Sequence, residues 1–168
     1  MPRKPRMVMA GVPSHVIQRG NNRDACFYAD QDYLFYLECL HDACKRYHVA
    51  VHAYVLMTNH VHLLLTPEEP TGISCVMQSV GRRYVQYINY EYRRSGTLWE
   101  GRQKASMVEA ETYLLTCMRY IELNPVRANM VKHPAEYRWS SYQTNSQGKE
   151  SKIITAHECY LAIHPNKE

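Results

Sequence analysis

Hydrophobic and polar positions along this chain follow two rhythms, and the switches between them divide it into short strands and longer helices. The run Ser14-His15-Val16-Ile17-Gln18-Arg19 reads as a first strand, closed by the polar turn Gly20-Asn21-Asn22-Arg23-Asp24. Asp30 can cap a helix whose Leu34, Leu37, Leu40 and Cys44 recur at helical spacing to about residue 48. Residues 49–57 alternate and are β-branched, with Val51, Ala53 and Val55 on one face. The break Thr58-Asn59 leads into another strand at His60, so the two strands predict an antiparallel hairpin. After a Pro- and Gly-containing loop, residues 73–94 carry the stripe Ile73, Val76, Met77, Val80, Tyr84, Tyr87 and Ile88 of an amphipathic helix. A loop from Leu98 passes into a strand that ends near Val108, and residues 109–123 form the next helix. Strand, helix, strand, strand, helix, strand is the order of a ferredoxin-like split-βαβ antiparallel sheet with helices packed on it. The expected class is α+β, with one further helix after the fourth strand.

Length and composition fit that outline. A chain of 168 residues, 45% hydrophobic and 21% charged, has the usage of one soluble globular domain. That domain is expected over residues 1–143. Residues 144–152 read as a linker, and Thr155-Ala156-His157-Glu158 has the pattern of a capping box opening a short helix to about Ile163, making 144–168 a tail. No apolar run approaches the roughly 20 residues of a membrane span. The basic leader is followed by only Met7-Val8-Met9-Ala10 before Gly11, which predicts a cytoplasmic protein with no membrane partner. The six cysteines include no Cys-x-x-Cys pair and read as reduced core thiols.

A net charge of +4 says little, but its placement says more. Basic residues come in pairs: Arg19 and Arg23, Arg82 and Arg83, Arg93 and Arg94, Arg102 and Lys104, Arg127 and Lys132. Tyr84, Tyr87, Tyr90 and Tyr92 are interleaved with four of these arginines. Cations beside flat rings suit single-stranded nucleic acid, whose phosphates need neutralising and whose bases stack. A solvated basic helix face with half-buried tyrosines has the same pattern.

Two short stretches carry candidate chemistry. In a strand through Thr58-Asn59-His60-Val61-His62-Leu63-Leu64-Leu65, His60 and His62 project from one side while Val61, Leu63 and Leu65 enter the core. Two imidazoles facing one point can hold a cation; equally, one can bond a backbone group while the other sits in water. In the last helix, Leu114, Leu115, Met118 and Ile121 share one face, and Tyr113, Thr116, Cys117, Tyr120 and Asn124 the other. A tyrosine off the core face is available as a nucleophile, which a nearby cation would strengthen; it is also what a half-buried amphipathic side chain looks like. Asn124, one turn beyond Tyr120, can reach the same place or cap a short helix starting at Pro125.

Taken together, Met57-Thr58-Asn59-His60-Val61-His62-Leu63-Leu64, Leu98-Trp99-Glu100-Gly101-Arg102, Arg119-Tyr120-Ile121-Glu122-Leu123-Asn124-Pro125-Val126-Arg127 and Trp139-Ser140-Ser141-Tyr142 closely resemble the REP-associated tyrosine transposases. These belong to the single-tyrosine branch of the HUH nuclease superfamily, with the transposases of small single-strand insertion sequences. The resemblance runs from about Ser14 to Tyr142. It implies that His60 and His62 bind a divalent cation, Mg²⁺ or Mn²⁺, with Asn124 as a third ligand, and that Tyr120 is the nucleophile. The implied reaction is cleavage of single-stranded DNA to a 5′-phosphotyrosine and a free 3′-hydroxyl, reversed by another 3′-hydroxyl. The implied partner is a repetitive extragenic palindrome, a DNA hairpin with a single-stranded foot, bound in a bacterial cytoplasm by a monomer as in the palindrome-associated relatives, with the site-sharing dimer of the insertion-sequence enzymes as the alternative. Arg19, Asn21, Asn22, Arg23, Arg82, Arg83, Trp99, Arg102, Lys104 and Arg127 are the residues assigned to DNA. A hairpin-binding regulator of the same fold without catalysis is the alternative. A zinc hydrolase is disfavoured, since no third His or Cys stands at a compelling spacing.

Overall fold

The computed structural model describes residues 8–109, 111–157 and 160–161, so the basic leader, Cys159 and part of the tail's expected helix lie outside the described residues. The elements are β1 (Ser14–Arg19), α1 (Asp30–Tyr47), β2 (Val49–Leu56), β3 (His60–Pro67), α2 (Gly72–Glu91), β4 (Lys104–Met107), α3 (Glu111–Glu122), α4 (Asn124–Arg127) and α5 (Tyr142–Gln147). The four strands lie in the order β2-β3-β1-β4, with every neighbouring pair antiparallel. This is the split-βαβ sheet that the periodicity predicts.

Register then sorts the side chains. Ser14, Val16 and Gln18 stand opposite Leu65, Leu63 and Val61, while His15, Ile17 and Arg19 stand opposite Leu64, His62 and His60. The first set faces the core under α1 and α2, where Tyr36, Leu40, Val76, Val80 and Tyr84 are all buried. The second face would be open in a two-layer protein. Here α3 crosses it over β2 and β3, burying Leu114, Met118 and Ile121. A strand covered on both sides reads as a nearly continuous apolar run, and Val61 to Leu65 does so with one exception, His62.

The start of α1 differs from the expectation. Ala29, not Asp30, is the N-cap residue, and the carboxylate that serves this end is Asp32. Fully buried, it accepts from the N–H groups of Tyr28 and Ala29 (both 2.9 Å) and from the hydroxyls of Tyr87 (2.8 Å) and Tyr92 (2.6 Å). A buried charge needs such partners, and these tie the start of α1 to the end of α2. Tyr84 is buried too and donates to the Cys26 carbonyl. The arginine-interleaved tyrosines therefore build the core, and only Tyr90 projects freely into solvent. Leu34, expected on the buried stripe of α1, is half exposed because Tyr36, Cys39, Leu40 and Ala43 occupy the inward face instead.

The expected linker is also different. Residues 144–147 are helical in α5, which ends at Gly148 in the left-handed region (φ 71°). Asn145 is buried and donates to the His52 carbonyl (3.0 Å) and to Glu122 Oε2 (3.3 Å). Beyond it, Ile154 bridges to Val51 in parallel and the Thr155 N–H donates to the Val51 carbonyl (2.7 Å), covering part of the β2 edge. The described cysteines are all free, with Cys26, Cys39 and Cys44 buried.

Candidate functional site

The second face of the sheet collects the polar side chains that the core cannot use. His60 begins β3 half-buried, and its Nδ1 lies 2.7 Å from Asn59 Oδ1. His62 is 2% exposed, beneath α3, with Nδ1 2.9 Å from Nε2 of His15 on the neighbouring strand. The His15 and His62 rings stack at 5.1 Å, and His60 meets His62 edge-on at the same distance. Tyr120 descends from α3 with its ring 5.8 Å from His62 and 6.0 Å from His15. Three imidazoles and one phenol thus share one place, brought there by β1, β3 and α3.

Burial sets the charge state of this cluster. Loss of solvent holds His62 down to about 3, and repulsion from His15 and His60 whenever those rings are protonated, and from Arg19 and Arg127, adds to the effect. Burial likewise lowers His15, and burial with Arg19 lowers His60. The cluster therefore presents neutral rings with free lone pairs at physiological pH, the form in which imidazole accepts a cation. Among the described residues no three His, Cys, Asp or Glu side chains are grouped as a metal site. A cation would rest on His60 and His62 with an amide or water oxygens, a donor set that fits Mn²⁺ better than the all-oxygen preference of Mg²⁺.

Tyr120 is 46% exposed, while Leu114, Met118 and Ile121 of the same helix are buried, as the helical pattern predicts. Arg127, one short helix further on, lies 4.1 Å over the Tyr120 ring and donates to the Tyr120 carbonyl. Asn124 is not the cap of α4: Leu123 holds that position and no side chain caps this end. Its amide is left out of the helix start, half-buried at the junction of α3 and α4, without a hydrogen bond to either histidine. The far side of α3 is anchored by Glu122, whose buried carboxylate accepts from Ser141 Oγ (3.1 Å) while that hydroxyl accepts from the Tyr54 N–H (2.9 Å).

Two clefts flank the cluster. One of about 430 Å³ is lined by His15, Ser106, Tyr113, Thr116, Cys117 and Tyr120. The other, about 460 Å³, is lined by Arg23, Met57, Thr58, Asn59, His60 and Met130. The turn that carries Asn21, Asn22 and Arg23 borders the second cleft, because the Arg23 carbonyl accepts from Asn59 Nδ2 (3.3 Å). Gly20 makes that approach possible: a Cβ there would stand 2.3 Å from the Asp24 carbonyl oxygen and 2.7 Å from Cys26 Sγ.

The residues assigned to DNA separate into two groups. Arg19 stands opposite His60, and Lys104 stands opposite Ile17 in the row that contains His62, so both share the histidine face with Arg127. Arg102 is exposed in the loop before β4. Arg82 and Arg83 do not join them: they belong to α2 on the other side of the sheet, where Arg83 pairs with Asp42 (3.0 Å). Trp99 is 7% exposed, its backbone bridged to Gly20 and its ring beside Tyr36 and Tyr84, so no face is open to a base. Sequence reasoning passed over His15 and Asn59. Alternation along β1 puts His15 with Ile17 and Arg19, but only the pairing of β1 with β3 brings it to His62.

Residues 9–124 match the protein family described as Transposase IS200 like. Among solved structures, the chain is similar to a REP-associated tyrosine transposase bound to a REP hairpin, with a TM-score of 0.75 and 15% identity over 94% of this chain and 93% of that one. It is also similar to a candidate transposase from Deinococcus radiodurans R1, with a TM-score of 0.49 and 22% identity over 72% of this chain and 96% of that one. No curated protein matches it in sequence.

Proposed function

We propose that this chain, which belongs to the IS200-like transposase family, cleaves and rejoins single-stranded DNA at the foot of a hairpin through Tyr120. The observation that carries this reading is the meeting of Tyr120 with the His60–His62 pair on one face of the sheet, the phenol ring 5.8 Å from the His62 ring. A nucleophile and a cation site must face the same phosphate, and here two distant segments converge to that end. The hairpin is proposed from the fold shared with the hairpin-bound transposase and from the cations on the histidine face.

In the reaction, Tyr120 Oη attacks the scissile phosphorus, the P–O3′ bond breaks, and the phenolic proton is lost as the departing 3′-oxygen gains one. The products are a 5′-phosphotyrosine and a 3′-hydroxyl. Attack by another 3′-hydroxyl reverses the step and needs no nucleotide cofactor, since one phosphodiester replaces another. A divalent cation on His60 and His62, with Asn124 as the third donor, would polarise a non-bridging phosphate oxygen. Arg127 lies over the Tyr120 ring, where its positive charge is at hand for the phosphate that Tyr120 attacks. Arg19 and Lys104 supply positive charge for the strand on either side. Tyr120 and both histidines meet within one chain, which supports action by a single copy.

The test is incubation of the full chain with labelled hairpin DNA and Mn²⁺, followed by a denaturing gel. A covalent protein–DNA band with wild type but not with Tyr120→Phe is the expected result. Tight binding without a band across Mn²⁺ and Mg²⁺ would instead mark a hairpin-binding regulator.

A further inference from the structure

The two site histidines are each held from behind, and not by the carboxylates that usually perform this task. Asn59 Oδ1 stands 2.7 Å from His60 Nδ1; Asn59 Nδ2 donates to the Arg23 carbonyl, so the oxygen faces His60 and the imidazole proton sits on Nδ1. His60 Nε2 then keeps its lone pair. His62 has no such amide, and its Nδ1 meets Nε2 of His15 at 2.9 Å. Between two ring nitrogens one must carry the proton and the other accept it. If His15 donated, the neutral His62 ring would carry its proton on Nε2 and have no lone pair for a cation. If His62 donates, its Nε2 is free, as in His60.

We infer that His15 is a positioning residue: it accepts the His62 Nδ1–H and so fixes the tautomer that leaves His62 Nε2 as a donor atom. The inference rests on the proposed metal-assisted function for its purpose, but the hydrogen bond it assigns can be measured without metal or DNA. Three structural features support it. The strand register holds His15 on the face of His62, two positions from Ile17 with which His62 pairs, so the contact is built into β1–β3 pairing rather than into a mobile loop. The rings also stack at 5.1 Å with 26° between their planes, which restrains the His62 ring in orientation as well as in protonation. And the parallel contact at His60 applies the same requirement to both rings of the pair. Groups that hold a metal-binding histidine in this way affect affinity by roughly 10–100-fold when removed.

The experiment uses the full chain, free of metal, with ¹⁵N-labelled histidine, and long-range ¹H–¹⁵N spectra to read each ring's tautomer; His62→Gln identifies the His62 signals. Wild type is expected to place the His62 proton on Nδ1, and His15→Leu to move it wholly or partly to Nε2. Titration with Mn²⁺, followed by the paramagnetic signal of the free ion, is expected to weaken by at least about 10-fold in His15→Leu. His15→Gln, whose Oε1 can accept the same proton, is expected to keep the Nδ1 tautomer and bind Mn²⁺ within about 3-fold of wild type. That rescue separates positioning from packing, and it remains informative if the leucine variant does not fold. A wild-type His62 proton on Nε2 overturns the inference, as does a folded His15→Leu with unchanged tautomer and affinity. Wild type that takes up no Mn²⁺ while showing the Nδ1 tautomer supports the hydrogen-bond assignment and removes only the metal from the proposed function.

Discussion

At the scale of single residues, the site is made by burial of groups that water would otherwise stabilise. His62 titrates near 3 in the fold against an ordinary imidazole value of 6.5, so folding favours its neutral form. The sign follows from linkage: above pH 6.5 both states are neutral and the contribution is constant, whereas below it the unfolded chain takes up a proton that the folded chain refuses. Stability is therefore expected to fall as pH drops from 6.5 toward 3, by about 2 kcal/mol at pH 5 from His62 alone. Urea unfolding at pH 7 and pH 5 measures it, and His62→Gln is expected to flatten that dependence. Tyr36 is a second buried polar residue, but its hydroxyl finds no hydrogen-bond partner among the described residues. Tyr36→Phe removes an unmet donor without changing the packing, and is expected to leave stability unchanged or raise it by up to about 1 kcal/mol in the same assay. These residues also mark how far the sequence could be read. Period-two alternation put His60 and His62 on one face, and helical spacing kept Tyr120 off the core, because both are local properties. The contributions of His15 to His62 and of Asp32 to Tyr87 and Tyr92 depend on pairings across 47, 55 and 60 positions of chain, which no local pattern encodes.

At the scale of elements, the strands and the three long helices were legible from their apolar periodicity, except that β2 breaks its alternation: a register shift between Val51 and Ala53 sets Val51 opposite Leu65 and Ala53 opposite Leu64, so Val51 does not share a face with Ala53 and Val55. Helix α5 was not legible. Its residues Tyr142–Gln147 are mostly polar, and what makes them ordered is that Asn145 and the preceding Ser141 bond to His52, Tyr54 and Glu122 in other elements. A segment stabilised by distant polar partners looks like a linker in sequence. The same contacts hold α3 against β2, so Ser141 is a rivet between the tail and the helix that carries Tyr120. Ser141→Ala strips a donor from the buried Glu122 carboxylate and an acceptor from the Tyr54 N–H; a loss of about 2 kcal/mol in urea unfolding is expected. The turn after β1 is a rivet of another kind, with the Gly20 N–H donating to the Asn59 carbonyl (2.8 Å) and the Cys26 N–H to the Thr58 carbonyl (2.8 Å). It joins the first strand to the turn of the β2–β3 hairpin, just before His60. Gly20→Ala would press a methyl against a backbone carbonyl that cannot move aside, at an expected cost of roughly 1–3 kcal/mol. If Gly20→Ala is as stable as wild type, the close approach assigned to this turn is wrong.

At the scale of the whole molecule, the sheet divides the protein's charges by function. One layer, α1 and α2, is fastened by the Asp32 cluster, carries the Arg83–Asp42 pair on its surface, and turns its tyrosines other than Tyr90 toward the protein. The other layer carries the histidines, Tyr120, and the cations Arg19, Lys104 and Arg127. Sequence alone weighted Arg82 and Arg83 equally with Arg19 and Arg23, since charge pairs look alike until the fold assigns each a side. A DNA strand laid over Tyr120 and His60 meets only the second group. Removing one cation that neutralises a phosphate lowers the slope of log affinity against log salt by about 0.7–0.9. Arg19→Gln with Arg23→Gln is therefore expected to weaken hairpin binding and reduce that slope by about 1.5, read by fluorescence anisotropy of a labelled hairpin between low and moderate salt. Arg82→Gln with Arg83→Gln is expected to leave both affinity and slope within error, because those side chains lie across two layers of protein from the strand. The opposite ranking would put the DNA on the α1–α2 face. Tyr120 could then reach a phosphate only if the strand wrapped round the sheet edge at β4, and the proposed site would have to be rebuilt on that path.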